Sequence, residues 1–151
     1  MYGFARDDKL AELLRQATAF KDKNDWDAAL TTLAEAKTLM LVSPVSYPAE
    51  TWCKYPLYLQ QAGRFAEAMT EFQFLLDDLE RRARRDAQLD DPNVGPKRQK
   101  LTYYRGIIKN DKRIIREKMA LAQTRQENAE PKLKPNLKQE TAQQINRGDR
   151  E

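Results

Sequence analysis

Two stretches of the chain repeat one another in register, 39 residues apart, and no other feature constrains the fold as much. Asn24 opens one copy and Gly63 the other. Each is followed two places on by an aromatic residue, Trp26 or Phe65. A small residue comes three positions later, Ala29 or Ala68, and a large apolar one four beyond that, Leu33 or Phe72. Spacings of three and four place such residues on one face of an α-helix. A turn residue ahead of each copy supplies the reversal from a preceding helix. The repeat therefore predicts two helical hairpins stacked side by side.

The flanking sequence supplies the partner helices. Leu10, Leu13, Leu14, Ala17 and Phe20 form an apolar stripe over residues 9–23, with Asp7 or Asp8 placed to cap its start. Asp25 is placed to cap the helix that follows, from Trp26 to about Leu41. Pro44 and Pro48 punctuate the connector, and Pro48 suits a first helical turn. Trp52, Tyr55, Leu59 and Ala62 then share one face, while Leu57 and Tyr58 fall off it. Pro56 removes a backbone donor in mid-helix, so a kink or a division is expected there. From Phe65 a fourth helix continues to about Ala87, past the end of its apolar pattern.

After a Pro/Asp/Gly loop a long helical pattern spans residues 97–126. At about 1.5 Å per residue it reaches about 45 Å unbroken. It must then overhang the hairpins, break near Gly106 or Asn110, or pack on a second chain. Residues 127–151, with Pro131, Pro135, Gly148 and scattered charge, read as a disordered tail. The expected organisation is all-α. Repeats at about 9–41 and 48–87 and a capping helix at about 97–126 make one domain of residues 1–126.

Several chemistries are disfavoured at once. The chain has no histidine, which removes the commonest metal ligand and general base. Its single cysteine, Cys53, has no histidine to activate it and no partner within the chain for a disulfide. Neither a phosphate-binding glycine loop nor a nucleophile elbow occurs. The expectation is a non-enzymatic, cytoplasmic protein without cofactor or metal. No apolar run approaches the roughly 18 residues of a membrane span.

The paired helices resemble the tetratricopeptide repeat (TPR) family, a stack of helix pairs with residues of set size at set places. Trp52, Tyr55, Leu59, Gly63, Phe65, Ala68 and Phe72 fall at its signature spacing in the second copy. Leu13, Ala17, Phe20, Trp26, Ala29, Leu33 and Ala36 do so in the first. The period of 39 exceeds the family's roughly 34, and Pro56 stands where the family has a small residue. The resemblance implies an adaptor whose concave surface, lined by the first helix of each pair, holds a protein or peptide. By position that lining is Leu14, Thr18 and Lys21, then Cys53, Leu57, Gln60 and Gln61, with Arg15 and Lys54 at its border. The long helix at 97–126 is either a cap on the stack's open end or an occupant of this groove.

Charge divides the chain unevenly. Residues 1–80 carry 8 basic and 13 acidic side chains, whereas residues 81–118 carry 13 basic and 5 acidic. Arg81, Arg82, Arg84, Arg85, Lys97, Arg98, Lys100, Arg105, Lys109, Lys112, Arg113 and Arg116 make up most of that excess. Such density suits a phosphate backbone, with Tyr103 and Tyr104 placed to stack on bases. The same cations also suit pairing with the acidic repeat region, which would help the cap to dock. Two apolar pairs seven residues apart, Ile107-Ile108 and Ile114-Ile115, offer a surface for a homodimer as a further alternative.

Overall fold

The structure, a computed structural model, describes residues 2–129, with side chains from Asp8 onward. Among these residues there are six α-helices and no strand: α1 Tyr2–Asp22, α2 Trp26–Val42, α3 Ala49–Gln61, α4 Phe65–Asp77, α5 Leu79–Asp86 and α6 Lys97–Ala129. The expected tail beyond Ala129 lies outside the described residues.

The repeat is visible in the backbone itself. Asn24 and Gly63 both take left-handed dihedrals, φ 61° and 84°. In the first copy Asp25 N–H donates to the Phe20 carbonyl at 2.8 Å, and in the second Arg64 N–H donates to Leu59 at 2.8 Å. Each is the closing bond of a Schellman motif, which satisfies a terminal carbonyl and turns the chain back. Asp25 then caps α2, its carboxylate accepting from Ala28 N–H at 3.2 Å. Beyond the turns, Ala29 and Ala68 are fully buried, which lets the helices of each pair approach closely. Leu33 and Phe72 are buried one turn further on, so α1–α2 and α3–α4 are equivalent hairpins.

Two clusters make the core. Ala17, Ala29, Leu30, Leu33, Tyr58, Leu59 and Ala68 join the hairpins at their turn end. Leu10, Leu13, Met40, Trp52, Cys53, Phe72, Leu75, Ile114, Ile115 and Ala122 extend the interior to α6. That last helix lies against α3, α4 and α5, covering the open end of the stack as a cap.

Three local expectations are corrected, and one alternative left open for the long helix is excluded. The first helix begins at Tyr2, so Asp7 and Asp8 lie inside it and do not cap it. Pro56 does not divide α3, which runs unbroken from Ala49 to Gln61 with the proline fully buried. Packing against α2, α4 and α6 holds the helix across the missing donor. The fourth helix instead breaks at Asp78. There the buried Arg82 donates from Nη2 to the Leu75 carbonyl at 2.7 Å, taking up an acceptor at the break. Finally, α6 passes through Gly106 and Asn110 without interruption and, at about 1.5 Å per residue, reaches about 50 Å. It therefore outreaches α3 more than twofold.

Candidate functional site

The concave side expected to line a groove is divided by α6. Cys53 is fully buried, and loss of water around it pushes its thiol up to about 12. Lys118 and Asp111 of α6 lie within electrostatic reach of that thiol, which places it under the cap. Gln60 is 4% exposed, and its Oε1 meets no hydrogen-bond partner among the described residues. Leu57 is half-buried and packs on the cluster that includes Ile114 and Ile115. Cys53 and Gln60 are thus corrected from groove lining to core, Cys53 because Ile114, Ile115 and Ala122 of the cap settle in its cluster.

What remains open lies between α1 and α3. Thr18 Oγ1 donates to the Leu14 carbonyl at 3.1 Å and accepts from Lys54 Nζ at 2.7 Å. The Tyr58 hydroxyl stands 3.4 Å from the same oxygen. Thr18 is therefore engaged within the chain and is not a free partner for a peptide backbone. Lys21 Nζ sits 5.2 Å and Lys54 Nζ 5.6 Å from the centre of the Tyr58 ring, within cation–π range. Trp26 meets that ring edge-on, with centroids 5.7 Å apart. Both lysines are half-buried, and no carboxylate of the described residues pairs with either. Leu14 packs inward on both clusters, Gln61 is half-buried at the end of α3, and exposed Arg15 bonds Glu12 at 2.7 Å.

Tyr58 is the residue that pattern reading missed. It falls off the apolar face of α3, yet it is 5% exposed. Its burial comes from Trp26, Lys21 and Lys54 closing around it. The signal was present in a weak form, as lysines one turn from a tyrosine on α3 and one turn from the end of α1.

The basic segment also separates into two kinds of residue. Arg81 is bidentate to Asp78, Arg84 is bidentate to Asp90, and Arg85 contacts Asp86 and the Ser43 carbonyl. Arg82 is 2% exposed, with its Nε 3.3 Å from Asp78 Oδ2 and its guanidinium 4.8 Å from the Trp52 ring centre. Lys100 is buried too and donates to the Asp91 carbonyl at 2.7 Å. These five cations are paired within the chain, and the buried two, Arg82 and Lys100, are corrected from partner patch to structure. Lys97, Arg98, Arg105, Lys109, Lys112, Arg113 and Arg116 are exposed along α6, and of these Arg113 alone bonds a carboxylate of the described residues, Glu117.

The apolar row of α6 is likewise used within the chain. Ile115 is fully buried and Ile114 is 9% exposed, in the cluster with Trp52 and Phe72. Ile114 and Ile115 are therefore corrected from dimer surface to core, whereas Ile107 and Ile108 are half-buried. Among the described residues no helix is long and apolar enough to cross a membrane. No grouping of three or more potential metal ligands occurs among them. No family model matches the chain, and neither a curated protein nor a solved structure matches it.

Proposed function

We propose that the chain is a non-enzymatic interaction module of the TPR-like kind, which captures a protein segment along the side of α1 and α3 that α6 leaves open. The observation that carries this reading is the placement of Lys21 and Lys54. Both are half-buried beside Tyr58 and lack a carboxylate partner among the described residues. A lysine with restricted hydration gains most from an opposite charge, so the surface favours a segment carrying Asp or Glu. Trp26, partly exposed beside the Tyr58 ring, adds aromatic area of the kind that anchors peptides. The repeat register supports the family reading, as do the equivalent turns at Asn24 and Gly63.

Peptide display against the immobilised protein tests this. Selection should enrich acidic segments with an adjacent apolar residue, and a Lys21→Glu/Lys54→Glu variant should lose them while its circular dichroism stays helical. Equal enrichment on wild type and variant would overturn the reading.

A further inference from the structure

The outer side of α6 carries a feature that the α1–α3 surface does not explain. Arg98, Arg105, Lys109, Lys112 and Arg116 follow one another at spacings of seven, four, three and four, which is one stripe of an α-helix. All five are exposed, and none pairs with a carboxylate among the described residues. Because α6 is continuous here, the stripe is straight and about 27 Å long at about 1.5 Å per residue. No acid interrupts it. Asp111 is half-buried on the inner side, among Arg82, Asp86 and Glu50, and Glu117 is bonded to Arg113.

We propose that this stripe binds the phosphodiester backbone of nucleic acid, independently of base sequence. A row of like charges with no internal counter-ion suits a polymer of regularly repeated negative charge. An acidic protein surface is a poorer fit, because protein interfaces rest on buried apolar or aromatic anchors, and the stripe presents none. A membrane surface is also a poorer fit. The apolar side of α6 is already packed on the hairpins, so no face is left to insert among lipids. The binding surface is on the outside of α6 and the peptide surface is between α1 and α3, so either can fail alone.

Fluorescence anisotropy with a labelled 20-mer, single-stranded in one arm and duplex in the other, tests the proposal on the full chain. Five neutralised phosphates give a slope of log affinity against log salt of about −4.5 for duplex and about −3.5 for single strands. Affinity for duplex then falls roughly 500-fold between 50 and 200 mM salt. Replacing Arg105, Lys109, Lys112 and Arg116 by Gln should bring either slope to about −1 and weaken binding more than about 100-fold at the lower salt. Arg81→Gln with Arg84→Gln should leave both quantities unchanged, since those cations are already paired. The relative slopes of the two arms tell single strand from duplex. A flat titration of the wild type overturns the proposal whether or not the fourfold variant folds. So does a fourfold variant that binds like wild type. Tighter binding to polyglutamate, or to vesicles rich in anionic lipid, than to the oligonucleotide would reassign the stripe.

Discussion

Arg81–Arg85 and the α6 stripe have the same sign of charge, packed densely in the first and spread along the helix in the second, but they do opposite work. In the first region each arginine finds an acceptor within the chain: Asp78, the Leu75 carbonyl, Asp90 or Asp86. In the second, five exposed cations pair with no carboxylate among the described residues. The difference follows from the local backbone. A short helix between Asp78 and a loop carrying Asp90 has acids three, four and six residues from its arginines. On the long helix α6, Asp111 is turned inward and the exposed Glu117 is taken by Arg113, so neither pairs with the five cations of the stripe. Clustered charge in a sequence is thus not a surface property until the position of its nearest acids is known.

The sharpest way to break this comparison is to remove the one arginine that is wholly interior. Arg82→Ala strips away a bond to the Leu75 carbonyl, contact with Asp78 and stacking on Trp52. It should cost about 3–5 kcal/mol, as loss of one member of a buried pair does, read as a lower denaturant midpoint. A loss under about 1 kcal/mol would mean that Arg82 contributes no more than its exposed neighbours.

A smaller effect tests the inner acid of α6. Burial raises the Asp111 carboxyl above its usual 3.8, Arg82 opposes that rise, and Asp86 and Glu50 add to it. The folded protein therefore keeps this proton to higher pH than the unfolded chain does. Its contribution to stability declines as pH rises from about 3.8 through the raised folded value. Asp111→Asn removes that decline, so melting temperature plotted against pH should fall less steeply over this window than in wild type. An identical pH profile would place Asp111 in water.

The smallest effects belong to the exposed cations. Replacing Arg105, Lys109, Lys112 and Arg116 by Gln should move stability by less than about 0.5 kcal/mol, since these side chains support nothing in the fold. Arg81→Gln with Arg84→Gln should leave the thermal midpoint within error, because exposed ion pairs contribute little. A large loss in either set would erase the distinction between the two regions.

How far the sequence discloses this molecule depends on how local each cause is. The hairpins were legible because their causes sit within one turn of one another: Asn24 or Gly63 in the left-handed region, then aromatic, small and large residues at fixed steps. The Asp25 cap was legible for the same reason. The break at Asp78 was not, since it involves a guanidinium from the next helix reaching back to Leu75. Nor was the fate of Cys53. It is lining or core according to where α6 docks, which is decided by Ile114, Ile115 and Ala122 more than fifty residues away. Tyr58 belongs to the same class, because the groups that bury it come from α1 and α2 as well as α3.

The unequal division of charge along the chain has a consequence for how the molecule meets anything large and negative. Residues 1–80 carry a balance of −5, and residues 81–118 one of +8. With the surplus cations lined up on the outside of α6, the field is attractive on one flank and repulsive over the hairpins. Such a body experiences a torque before it makes contact, and this favours arrivals with α6 leading. The hairpins, and with them the Lys21–Tyr58–Lys54 surface, are then not what meets it first, and stay free to engage a second partner.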